Sequence, residues 1–162
     1  MTAAITLLYR HHRWANLALI DHLAGLPTPT EDLQRHAPGG FGSIHETLFH
    51  FVTNEGRFIE TLRNVQVTFG AIPNVLPTCE ELRATAAANG DMLIAIAGET
   101  TPESRVAGTI GGRRYDMPAF IPLFQAYHHG VEHRTNITTI LAACDMAVPN
   151  LDLWSYQSAG MP

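Results

Sequence analysis

Two capping boxes divide this chain. Ser43 with Glu46 three residues on, and Thr78 with Glu81, each pair a hydroxyl that can accept the third backbone N–H of a helix with a carboxylate that can accept the first. Apolar-periodic stretches follow both, "IHETLFHFVTNEGRFIETLRN" and "CEELRATAAANGDMLIAIAG", so each box predicts a long helix. The second of these ends near Gly98, and Asn89 and Gly90 weaken its middle without ending it. Upstream, residues 3 to about 25 carry Leu7, Trp14, Leu17 and Ala18 at helical spacing and stop at Gly25, before a Pro-rich stretch. Downstream, Pro118 suits the first turn of a further helix that runs to about Ala143.

Between these helices, "LPTPTEDLQRHAPGGFGS" holds three prolines and three glycines and reads as a connection, as does "FGAIPNVLP". "SRVAGTIGGRRYDM" alternates around Gly111 and Gly112, the pattern of a two-stranded hairpin or an extended crossover between the third and fourth long helices. The tail "VPNLDLWSYQSAGMP" reads as irregular. Four long helices predict an all-α four-helix bundle in a single domain spanning 1–162, and 162 residues suffice for a core without disulfide staples.

Ten Arg and Lys against fifteen Asp and Glu give a formal charge of −5, which lacks the basic footprint that a phosphate backbone demands. Nucleic acid is excluded as the expected partner. No segment reaches the ~18 apolar residues of a membrane span, and the N-terminus lacks a signal-peptide pattern. Cys79 and Cys144 show no paired spacing, so the expectation is a cytoplasmic protein with reduced thiols. Charged residues make up only 15% of the chain, below the ~25% of average soluble proteins, which hints that a second subunit covers some surface.

Nine histidines stand out: His11, His12, His22, His36, His45, His50, His128, His129 and His133. His129 and His133 lie four apart, so on a helix their imidazoles stack one above the other and can converge on one ion. They share a face with Ala126, Asn136, Ile137, Ile140 and Cys144, a mostly small and apolar stripe that points inward, while His128 points elsewhere. H-x-x-x-H alone arises often by chance, and a third ligand must come from another helix. The second long helix offers His45 at the edge of its apolar face, and His50 on the opposite side among Thr47, Asn54 and Arg57. Periodicity favours His45, although a bundle helix can also turn a polar stripe toward a cleft. His11, His12, His22 and His36 read as solvated or core-satisfied residues. Cys144 lies too far along the axis to join the pair and reads as core.

The runs "LLYRHHRWANLALIDHL", "GGFGSIHETLFHFVTNEGRFIETL", "AYHHGVEHRTNI" and "PNLDLWSYQ" together resemble the DinB-like proteins, the bundle superfamily that includes the YfiT-type proteins. "GSIHETLFH" is similar to the family's GS-x-x-x-T-L-x-H opening of the second helix, and "HGVEHRTNI" to its H-x-x-x-H-R-G-Q. Thr135 and Asn136 replace the glycine and glutamine. The resemblance implies an up-down-down-up bundle, a homodimer, and a divalent ion held by His50, His129 and His133 rather than by His45. It further implies a metal-dependent enzyme acting on a small-molecule substrate, either a transferase or isomerase using a low-molecular-weight thiol or a hydrolase.

Three imidazoles leave one position open for water or substrate, as in catalytic sites. Zinc and nickel suit imidazole best, and iron or manganese are also compatible. The alternative function is a non-catalytic metal or small-molecule binding bundle braced by the ion. "HGVEH" also satisfies H-x-x-E-H with Glu132 as general base. Only Asp145 and Asp152 follow as acidic ligands, however, and Glu132 projects about 100° from His133, so it stays outside the ligand set.

Overall fold

The computed structural model of the protein describes residues 2–38, 40–67 and 73–161. Gly39 of the first connection and residues 68–72 of the second lie outside the described residues. The protein is mostly helical. Four long helices, α1 (Thr2–Ala24), α3 (Ile44–Leu62), α4 (Cys79–Glu99) and α5 (Phe120–Ala143), are joined by a two-stranded hairpin and two short helices, α2 (Pro29–Asp32) and α6 (Leu153–Ser158).

Both capping boxes form. Glu46 N–H donates to Ser43 Oγ at 3.1 Å and Ser43 N–H to Glu46 Oε2 at 2.8 Å. Thr78 and Glu81 repeat the exchange at 3.3 and 2.8 Å. The weak middle of α4 has a packing reason: Asn89 Nδ2 donates to the Val52 carbonyl at 2.9 Å, tying α4 to α3. A Cβ at Gly90 would stand 2.5 Å from Arg13 Cγ, so the glycine lets α1 lie close against α4. The hairpin pairs β1 (Arg105–Ile110) with β2 (Arg113–Pro118) in antiparallel register. Gly111 at φ 56° and Gly112 at φ 78° supply the two left-handed residues of its turn.

The structure corrects four expectations. Pro118 does not open a helix but closes β2 opposite Arg105, and α5 begins at Phe120. A proline at a strand end lacks only an N–H that the ladder does not need there. The first connection contains α2, which Pro29 begins and whose Asp32 side chain accepts from Thr28 Oγ1 at 2.9 Å. The tail is not irregular throughout: Asp152 Oδ1 accepts Ser155 N–H at 2.7 Å and caps α6, whose Tyr156 is buried against His11 and Trp14. Hydrogen bonds from His11 Nε2 to the Leu151 carbonyl (2.8 Å) and from His22 Nε2 to the Ala147 carbonyl (2.9 Å) fasten that tail to α1.

The fourth correction concerns the face that α1 buries. Leu7 is 44% exposed and Trp14, Leu17 and Ala18 are half-buried, whereas Tyr9, His12, Asn16, Leu19, Ile20 and Leu23 are buried completely. The inward stripe is thus interrupted by two polar side chains, and their partners come from other helices. His12 Nε2 donates to Glu55 Oε1 at 2.6 Å, and Asn16 Nδ2 donates to the same oxygen at 2.7 Å. Arg134 Nη1 donates to Asn16 Oδ1 at 2.5 Å and reaches His12 Nδ1 at 3.3 Å. Burial pushes the His12 imidazole below its ordinary pKa, so it stays neutral, with Nε2–H toward Glu55 and the Nδ1 lone pair toward Arg134. Burial also lowers Arg134, to about 10, still far above neutral pH.

This polar layer separates two apolar clusters. One gathers Leu19, Leu23, Ile44, Leu48, Phe51, Ile137 and Ile140, the other Tyr9, Ile59, Leu93, Leu123 and Ala126. Removing the Glu55 carboxylate would leave the buried Arg134 guanidinium without its compensating charge, and such a loss is strongly destabilising. Glu55→Ala is therefore expected to lower unfolding stability by about 3–5 kcal/mol in denaturant titration. Gly130→Ala, whose added Cβ would collide with His12 Cε1, is expected to reduce stability in the same assay.

Candidate metal centre

His50 stands on α3 one turn and a half before Glu55, and on α5 His129 immediately precedes Gly130 and His133 immediately precedes Arg134. The polar layer that joins α3 and α5 therefore also brings the three imidazoles together. His129 Nε2 lies 3.3 Å from His50 Nε2 and 3.2 Å from His133 Nε2. All three candidate ligand atoms lie within 4.8 Å of one another. Two nitrogens bound at about 2.05 Å to a tetrahedral ion stand about 3.3 Å apart, so the observed spacing suits a shared cation.

Protonation favours the same reading. Burial, followed by the neighbouring His133 and His50, holds His129 down at about 4. Burial first, with His133 and Arg57 behind it, lowers His50, and burial lowers His133 against a weaker opposing pull from Glu132. At neutral pH the cluster therefore presents unprotonated imidazoles, which are the metal-binding form. Asn54 Nδ2 is 3.2 Å from both ring nitrogens of His50, a position over the ring face and away from the in-plane lone pairs. His133 Nδ1 lies 3.5 Å from the Asn136 amide, which can accept its proton through Oδ1 in the flipped rotamer. His129 Nδ1 is buried with no hydrogen-bond partner among the described residues. Phe41 covers His50 at a ring-centroid distance of 4.1 Å and meets His133 edge-on at 5.1 Å, while Phe58 flanks His129 at 5.6 Å.

His45, which periodicity favoured, points away and bonds the Pro77 carbonyl at 2.7 Å. His128 is exposed, 3.8 Å from Glu132, and Glu132 itself is exposed and outside the cluster. Cys144 packs at the edge of the core. Glu55, Asn16 and Arg134 are not among the candidates that the sequence offers. Their only signal in the sequence was polar residues at positions where a helix should bury apolar ones.

Mostly helical architecture with three histidines converging from two long helices defines a class of candidate metal-binding helical proteins. The sequence profile of the DinB family matches residues 1–160, so the chain belongs to the DinB family. A search of curated proteins finds no match to the chain. No helix among the described residues is long and apolar enough to cross a membrane.

The depressed histidines make acid a destabilising condition for the metal-free protein. His129 binds its proton near 4 when folded and near the ordinary 6.5 when unfolded, so the unfolded chain takes up more protons between those values. The contribution is fully present above pH 6.5 and is lost as pH falls toward about 4. The melting temperature of metal-free protein should fall across that window, and fall less steeply in His129→Gln.

Proposed function

We propose that His50, His129 and His133 hold one divalent cation, zinc or nickel first and iron or manganese next, and that the protein is a metal-dependent enzyme. The observation that carries this reading is the spacing of the Nε2 atoms of three neutral imidazoles beside a groove of about 1070 Å³, whose wall includes His50. A three-imidazole ion with an open position lowers the pKa of bound water, polarises a carbonyl or activates a thiol. The residues around it position the ligands: Asn136 stands beside His133 Nδ1, Asn54 packs over the His50 ring while bonding the His50 carbonyl, and Phe41 and Phe58 pack against the rings. A thiol-dependent transferase or isomerase, or a hydrolase, acting on a small molecule is the reaction class that suits such a centre.

The fold proposed to carry this centre is one domain, an up-down-down-up four-helix bundle. The order in which each helix meets the two apolar clusters supports that topology. α1 and α5 run from the cluster of Tyr9 and Leu123 to that of Leu19 and Ile137, whereas α3 and α4 run the opposite way. A homodimer is part of the same proposal, supported by the exposed apolar stripe of Phe120, Phe124 and Val131 on α5.

Elemental analysis of purified protein tests the centre. About one equivalent of ion per chain is expected in the wild type, and almost none in His129→Ala or His50→Ala. His45→Ala should retain the ion. If His129→Ala abolishes turnover across a panel of thiol and ester substrates while metal-free melting is unchanged, the enzyme reading holds. If it only removes a metal-induced rise in melting temperature, the ion braces the bundle.

A further inference from the structure

The groove beside the metal centre runs along α3 from Glu46 to Arg57 and is lined also by residues 73–76 and the first turn of α4. Its less exposed lining is largely apolar: Leu33 is buried, and Pro29, Phe49, Leu76 and Cys79 are half-buried. At about 1070 Å³ the groove reaches the upper end of small-molecule pockets, roughly 300–1,000 Å³. Val75 and Phe41 leave 84% and 54% of their surface exposed at its border. Apolar surface left open around a concave site marks where a ligand's apolar body can be buried.

The polar groups that share this lining are already spent within the fold. Thr53 Oγ1 donates to the Phe49 carbonyl at 2.7 Å, and His45 Nε2 donates to the Pro77 carbonyl at 2.7 Å. Arg57 Nη1 donates to Asn54 Oδ1 at 2.8 Å, and Arg57 takes part in a further interaction besides. The acids are compensated too. Glu46 completes the capping box of α3, where its Oε2 accepts Ser43 N–H at 2.8 Å, and Glu80 stands in the first turn of α4, at the positive end of the helix dipole. Thr30, Gln34 and Asn74 are exposed, so water serves their polar ends at the rim.

An ionised ligand seated here would exchange its water for a wall whose charges are compensated from within, and burying a charge without a partner is costly. An uncharged ligand gives up far less and gains the apolar contact. His50 is the half-buried polar residue of this wall that the fold engages least in this way. Its ring meets those of His129 and His133 at centroid distances of 5.2 and 4.8 Å, so that end of the groove opens on the site assigned to the ion.

We propose that this groove selects an uncharged small molecule with an apolar body, seated against Leu33, Phe49 and Leu76, with its polar function at the His50 end. Selection is by apolar fit and by the cost of bringing in a charge, since the wall holds no spare partner for one. The placement of the polar function rests on the metal reading above, but the preference for an uncharged ligand needs no ion.

The test compares 4-phenylbutan-1-ol with 4-phenylbutyrate and 4-phenylbutylamine at neutral pH, by calorimetry on the full chain stripped of metal with a chelator. The alcohol should bind about tenfold tighter than either ion, and 6-phenylhexan-1-ol tighter again by about three- to fourfold per added methylene. Thr53→Lys, which adds an ammonium to the wall, should turn the preference toward the carboxylate, with circular dichroism melting reporting that the variant folds. Equal or tighter binding of the carboxylate or the amine to the wild type, no gain with added methylenes, or an order of affinities unchanged in folded Thr53→Lys would overturn the proposal. So would no binding of the alcohols at millimolar concentration, and a dimer that Val75→Asp dissociates in sedimentation would then assign the groove to a second copy of the chain. The wild-type series alone decides the matter if Thr53→Lys does not fold. If zinc does not bind but the preference for the alcohol persists in metal-free protein, the metal reading fails and the site for an uncharged ligand stands; if zinc binds and the preference is absent, the reverse holds.

Discussion

One buried carboxylate organises this molecule. Glu55 accepts hydrogen bonds from His12 and Asn16 of α1, and Asn16 in turn accepts from Arg134 of α5, so three long helices meet through a single polar layer. Apolar contacts are tolerant of small slides and rotations, whereas charge-assisted hydrogen bonds at 2.5–2.7 Å in a dry interior are not. The layer thereby fixes the relative register of α3 and α5. Because His50 stands five residues before Glu55 and His133 stands next to Arg134, that register also sets the distances among the three imidazoles.

The histidine cluster and the polar layer solve the same electrostatic problem in different ways. In the layer, opposite charges on Glu55 and Arg134 compensate each other through two neutral groups, with Glu55 Oε1 taking both hydrogen bonds and Glu55 Oε2 left without a partner among the described residues. In the cluster there is no acid, and burial together with mutual proximity drives the rings to neutrality. Three ring nitrogens then face one another, an arrangement that neutral rings can satisfy only in part by sharing protons. A cation relieves all three at once. The contrast separates a cluster built to hold helices together from one suited to hold a ligand.

What could be read in the sequence follows the range of the interaction responsible. Capping boxes and the Gly111–Gly112 turn are encoded within four residues, and both appear where the sequence places them. The i, i+4 pair His129 and His133 is equally local, and the structure buries His133 and half-buries His129. The inward face of α1 is not local. Leu7 and Trp14 promise more apolar burial than His12 and Asn16, and partners far along the chain, Glu55 on α3 and Arg134 on α5, reverse that choice. The same reason hides α6, where a six-residue helix depends on packing of Tyr156 against α1 more than on any periodicity of its own. His50 was reached through family resemblance, since its own helix gave no phase reason to prefer it over His45.

The ambiguity between His45 and His50 has a physical origin in α3 itself, which presents three environments. Leu48, Phe51, Val52 and Ile59 enter the core with Glu55 among them, Phe49 and Arg57 face the groove, and His50 stands on the boundary between the two. A residue on such a boundary is neither clearly apolar-faced nor clearly solvent-faced, so hydrophobic periodicity assigns it to the polar side by default. That boundary is also where a metal ligand must stand if the ion is to be held by the core and reached from the groove. Periodicity fails at His50 for the same reason that the position is suited to function.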